Sequence, residues 1–186
     1  MLLLVLPLRD LRIFGARRDV TGSLRDALRW DATSDVIRNL VRRGADVNVK
    51  ADDCAYPTPL LLAVGKWGAL ELTRMLLTYG ANPNVSGAYD ADTTPLQAAA
   101  SYGNEHLVNL LLTHGADPNR EGESNICGTA LREAVESANL KIVQLLLDHG
   151  ANPNIQGGAH NTVMQAASER GHAEIVELLQ EHGANL

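Results

Sequence analysis

The chain has 186 residues, 45% apolar and 20% charged, with a net charge of −6; that suffices for one domain with a sizeable core and argues against general nucleic-acid binding. Two cysteines, Cys54 and Cys127, are too few for a disulfide framework and fit a reducing compartment, and no apolar run reaches the roughly eighteen residues of a membrane-spanning helix. With one Phe, two Trp and four Tyr, the core falls to Leu, Val, Ile and Ala, which suits a thin stack of helices.

Residues 1–20 stand apart as an apolar and basic N-terminal arm. Its start, Met1–Leu8, resembles the apolar stretch of a secretory signal. No basic residues precede it, however, and Arg9, Asp10 and Arg12 come next where small residues belong. It is therefore read as an arm packed on the first folded unit, with self-association or membrane contact as the alternative role. Charge is unevenly spread. Residues 1–50 hold ten basic groups and six acids, a balance of +4, and residues 51–186 hold six basic groups and sixteen acids, a balance of −10.

One phrase then returns along the chain: Gly44-Ala45-Asp46-Val47-Asn48, Gly80-Ala81-Asn82-Pro83-Asn84, Gly115-Ala116-Asp117-Pro118-Asn119, Gly150-Ala151-Asn152-Pro153-Asn154 and Gly183-Ala184-Asn185-Leu186. Its glycines are 36, 35, 35 and 33 residues apart. A second phrase precedes four of them at a distance of 22 or 21 residues: Thr58-Pro59-Leu60, Thr94-Pro95-Leu96, Thr129-Ala130-Leu131 and Thr162-Val163-Met164. Two phrases locked in phase make the period the organising fact.

The first unit lacks the Thr-Pro-Leu phrase and carries Arg25, Asp26, Arg29, Arg38, Arg42 and Arg43, so it reads as a polar N-terminal cap. The second has one extra residue within Gly65-Lys66-Trp67-Gly68, between its two helices; this is a tolerant loop or a device that pushes Trp67 toward a partner. The third is the clearest. Thr94 caps a helix, Pro95 suits its first turn, and Leu96, Ala98, Ala99 and Ala100 continue it. Gly103-Asn104 turns the chain into a second helix, whose Leu107, Val108, Leu110, Leu111 and Leu112 form one apolar stripe. Gly115 ends it in the left-handed conformation, and Asp-Pro-Asn is turn chemistry. In the last unit Ile175, Val176, Leu178 and Leu179 leave room for a further unit, and only Glu177, Gln180 and Glu181 soften its end.

These phrases resemble the ankyrin repeat over about residues 21–186. Gln97, Arg132 and Gln165 stand where the usual motif has His; with Cys127–Leu131 and Gln156-Gly157-Gly158 they make the chain similar to ankyrin arrays of filamentous fungi. The resemblance implies an all-α solenoid of stacked helix-turn-helix units with inter-repeat hairpin loops. The repeats run approximately 21–53, 54–89, 90–124, 125–159 and 160–186.

Catalytic and metal patterns are absent: no Cys-x-x-Cys, no His-Glu-x-x-His and no phosphate loop occur. His114, His149 and His182 share the slot before the repeat glycine, which marks them as structural groups near a helix C-terminus. Asp52-Asp53 and Asp90-x-Asp92 are read as solvated tips. The expectation is a non-catalytic, cytoplasmic scaffold without cofactor or metal, with the nucleus as an alternative location. An enzyme with a pocket in the concave groove, or one segment of a larger ankyrin-containing signalling protein, is the alternative function.

In the ankyrin family the partner meets the concave side, built from hairpin tips and the exposed ends of the first helices. Carried over here, the tips are about 50–57, 86–93, 121–128 and 156–161. The implied partner-binding residues are Tyr56, Lys66, Trp67, Tyr89, Ser101, Tyr102, Glu136 and Arg170. Tyr and Trp suit interface anchors because they bury much area with few rotors. Glu121, Glu123, Glu133, Glu136 and Glu169 near the same side would attract a basic partner surface.

Overall fold

The computed structural model describes residues 20–29, 33–51, 58–65, 70–87, 93–121, 128–155 and 162–185. Among them are ten helices and no strand. They are α1 (Val20–Arg29), α2 (Ser34–Arg42), α3 (Pro59–Gly65), α4 (Leu70–Thr78), α5 (Pro95–Ser101), α6 (Glu105–Thr113), α7 (Ala130–Glu136), α8 (Leu140–Asp148), α9 (Val163–Glu169) and α10 (Ala173–Glu181).

Local chemistry sets where each helix starts. Thr94 and Thr162 cap α5 and α9 through their hydroxyls, and Gln97 and Gln165 reciprocate by accepting from the threonine N–H at 2.6 and 3.0 Å. This reciprocal box satisfies two N–H groups that the first turn leaves over. Thr129 caps α7 the same way but receives nothing back, because the guanidinium of Arg132 has no acceptor. The second helices use Asn instead: Asn104 and Asn139 accept from Leu107 and Ile142 N–H, each at 3.1 Å. His172 occupies that place before α10 and makes no such bond.

The stops are uniform. Gly44, Gly80, Gly115, Gly150 and Gly183 have φ between +78° and +91°, where only glycine sits without strain. The alanine after each donates to a carbonyl five residues back, as Ala116 does to Leu111 at 3.0 Å. Just before the glycine, Nδ1 of His114, His149 and His182 donates to the carbonyl four residues back at 2.8 to 2.9 Å. The periodic histidines therefore serve the helix ends.

Between paired helices the turn also needs a left-handed residue. Gly103 and Gly171 supply it at φ +68° and +72°, but Ala138 takes the same place at φ +55°. A methyl there costs about 1 kcal/mol. Ala138→Gly is expected to raise stability by roughly 0.5 kcal/mol, since relieved strain outweighs the freer unfolded chain. A higher urea midpoint at unchanged slope is the expected readout; a lower midpoint would contradict it.

The helices stack in two layers. α3, α5, α7 and α9 lie side by side as the inner layer, and α2, α4, α6, α8 and α10 as the outer one. Ala63, Ala99, Ala134 and Ala167 are fully buried at one shared position of the inner helices, where a small side chain lets neighbours close up. The outer helices contribute Ile37, Leu76, Leu111, Leu146 and Leu179, all fully buried. No unit could bury these faces alone, so stability resides largely in the contacts between neighbours.

The polar turn residues do more than turn the chain. Asn48, Asn84, Asn119 and Asn154 each donate through Nδ2 to the carbonyl of the next repeat's glycine, Gly80, Gly115, Gly150 and Gly183, at 3.0 Å. Their Oδ1 accepts from the backbone N–H two residues beyond that glycine, at 2.7 to 2.8 Å. The result is a ladder with two bonds per rung. At its N-terminal end Thr21 of α1 stands in for the asparagine and accepts from Asp46 N–H at 3.0 Å.

In the last repeat Ile175, Leu178 and Leu179 are buried within the stack, and Val176, whose equivalents Val108 and Val143 are fully buried, is half-buried. Two slots that are apolar and buried inside the array become polar and exposed there. Val64, Ala100 and Val135 give way to Ser168, and Leu77, Leu112 and Leu147 to Gln180.

Candidate functional site

The inner helices end in one row of equivalent positions. Ser101 closes α5 and Tyr102 is its C-cap; Glu136 closes α7; Arg170 is the C-cap of α9. All four are exposed, Tyr102 at 64%. The short helices place them because each is stopped after two turns by the same tight turn. Tyr56, Lys66, Trp67 and Tyr89 lie outside the described residues.

The row is joined by electrostatics across three repeats. Arg132 Nε lies 2.7 Å from Glu136 Oε1, one turn along α7, and Arg170 Nη2 approaches the same oxygen at 3.8 Å from the next repeat. On the other side, the Ser101 hydroxyl donates to the carboxylate of Glu133. Burial pushes the Glu133 carboxyl above its ordinary range, and the charge of Glu136 adds to this; Ser101 and Arg132 pull it back. Ser101, Glu136 and Arg170 are thus brought together by Glu133 and Arg132.

Sequence reasoning placed Glu133 on this side without its role. The signal was present: Leu62, Ala98 and Ala166 hold the equivalent position, so a carboxylate stands in an apolar slot. Arg132 likewise departs from Gln97, which is buried and donates to the Gly128 carbonyl of the following repeat. Tyr79 was also missed. It is 52% exposed at the end of α4, in the slot of the periodic histidines, and so belongs to the outer layer rather than to this row.

Among the described residues, no group of three or more His, Cys, Asp or Glu is placed to hold a metal ion. What the row offers is a line of exposed hydrogen-bonding, aromatic and charged side chains over a buried frame.

A family model described as "Ankyrin repeats (3 copies)" matches residues 24–122, 66–157 and 121–186, which together span 24–186. Comparison with curated proteins finds none that matches.

Proposed function

This chain belongs to the ankyrin-repeat family, whose repeats are generally protein–protein interaction modules, and we propose that it is a non-catalytic scaffold that binds a partner protein on its concave and hairpin surface. The observation that carries the proposal is the row itself. Ser101, Tyr102, Glu136 and Arg170 occupy equivalent ends of successive inner helices, exposed above a core whose contacts are the same from repeat to repeat. A constant frame with variable exposed ends suits recognition.

Tyr102 is the aromatic anchor of this surface, and Tyr56, Trp67 and Tyr89 are assigned to it from their places in the repeat sequence alone. Glu136 and Arg170 supply its charged contacts, and Lys66 is assigned to it from its place in the sequence. The acidic balance of residues 51–186, −10, favours a partner with a basic surface and speeds its approach.

The test is a pull-down from extract of the source cell, wild type beside Trp67→Ala/Tyr102→Ala. A protein captured by the wild type should bind the double variant more weakly by about 2 kcal/mol or more, roughly thirtyfold. Equal capture by both would remove the proposed surface while leaving the fold untouched.

A further inference from the structure

We propose that the turn after α2, together with the end of α4, forms a second docking surface, which takes an acidic peptide segment through its carboxylates. Three sets of contacts build this edge. Thr21 of α1 accepts from Asp46 N–H at 3.0 Å, and Arg25 Nε donates to the Lys50 carbonyl at 3.0 Å. From the other side, Asn48 donates to the Gly80 carbonyl at 3.0 Å and accepts from Asn82 N–H at 2.8 Å. The start of α1, the end of α2 with Arg42 and Arg43, and the end of α4 with Tyr79 therefore meet around residues 44–50.

Arg25, Arg42, Arg43, Lys50 and Tyr79 are all exposed there. Among the described residues no carboxylate pairs with Arg42, Arg43 or Lys50. The exposed acid of the turn, Asp46, accepts from Asn48 N–H at 2.9 Å, and Asp35 is held by Arg38 at 2.6 Å.

The period shows that this positive charge is local. Arg42 stands where later repeats have Thr78, Thr113, Asp148 and Glu181, and Lys50 where they have Ser86 and Glu121. Tyr79 follows Arg43 in the slot before the repeat glycine and borders the cations on repeat two. A guanidinium holds a carboxylate through two parallel N–H···O bonds, and the exposed phenol adds a donor beside them. A nucleic-acid strand running on along the same slots would meet the exposed Asp148 and Glu181, whereas a short acidic segment stops before them. This edge belongs to the C-terminal ends of the outer helices, not to the row at the ends of the inner ones, so it stands independently of the concave surface.

Fluorescence anisotropy of a fluorescein-labelled oligoglutamate peptide reads binding to the full chain. Binding is expected at low salt and is released as salt is raised. Arg42→Ala/Arg43→Ala should weaken it by about tenfold or more, and Tyr79→Ala by about threefold. Arg42→Lys/Arg43→Lys, which keeps the charge and loses the fork, should fall between the wild type and the double alanine variant. Arg120→Ala, an exposed cation of repeat three, and Tyr102→Ala, in the concave row, should each change binding less than about twofold. Circular dichroism checks that each variant is folded, and the salt release on the wild type needs no variant at all. The proposal is overturned by no binding at low salt, by an Arg42→Ala/Arg43→Ala variant that binds like the wild type, or by tighter binding of a DNA oligonucleotide of equal charge. It is also overturned if the chain alone gains mass with concentration and Arg42→Ala/Arg43→Ala abolishes the gain, since the edge would then meet a second copy.

Discussion

Leu111→Ala is expected to lower the free energy of unfolding by about 3 kcal/mol. Leu111 is fully buried in α6, which sits between α4 and α8 in the outer layer. Its truncation removes apolar area and leaves a cavity, because neighbours on both sides are fixed by their own repeats. The position also lies mid-array. Each repeat contacts only its neighbours, so a loss here weakens the link between the two halves as well as the total. Urea unfolding followed by circular dichroism should show a lower midpoint and a broader transition. Leu145→Ala is the comparison: Leu145 is only partly buried on α8, so the loss should be about 1 kcal/mol. Equal losses at both positions would contradict the assigned burial.

Asn119→Ala should cost about 2 kcal/mol, without any cavity in the core. The side chain donates to the Gly150 carbonyl at 3.0 Å and accepts from Asn152 N–H at 2.7 Å. Both bonds tie repeat three to repeat four, and each is worth about 1 kcal/mol net. Asn119→Asp keeps the acceptor and loses the donor, so it should fall between Ala and wild type. Beyond the loss of stability, amide exchange should quicken from Gly150 toward the C-terminus before it quickens in repeat two. A change below about 0.5 kcal/mol with uniform exchange would mean that water replaces the rung at no cost.

The fold was legible because its determinants are local and repeat. A threonine followed by an apolar run starts a helix, and a glycine after Leu-Leu ends it; each copy gives the same instruction at the same phase. The ladder was harder to read. Asn48 N–H bonds to Asp46 Oδ1 at 2.9 Å, an ordinary local turn, and nothing short-range reveals that the Asn48 amide reaches Gly80. Only the period itself hinted at it, since a turn residue need not be the same in every copy.

The facing of the last repeat was harder to read for a related reason. Counting Ile175, Val176, Leu178 and Leu179 gives apolar content but not which way each faces. Aligning Ser168 with Ala100 and Val135, and Gln180 with Leu112 and Leu147, gives the facing directly. At the candidate site, the row of helix ends came from the period. The pairing of Arg132 with Glu136 did not, because it depends on a guanidinium, where Gln97 has an amide, that reaches one turn along its own helix.

The ladder also sets how the array carries load. Its rungs lie one after another along the stack, so a force pulling the two ends apart passes through every rung in series rather than being shared. Under such a force the array gives way at its weakest rung instead of shearing as a whole. From Asn48 onward each rung has two bonds, and at the Thr21–Asp46 end the Arg25 Nε bond to the Lys50 carbonyl is the second. Tension therefore opens the molecule one rung at a time, and the repeats on either side of the break keep their shape.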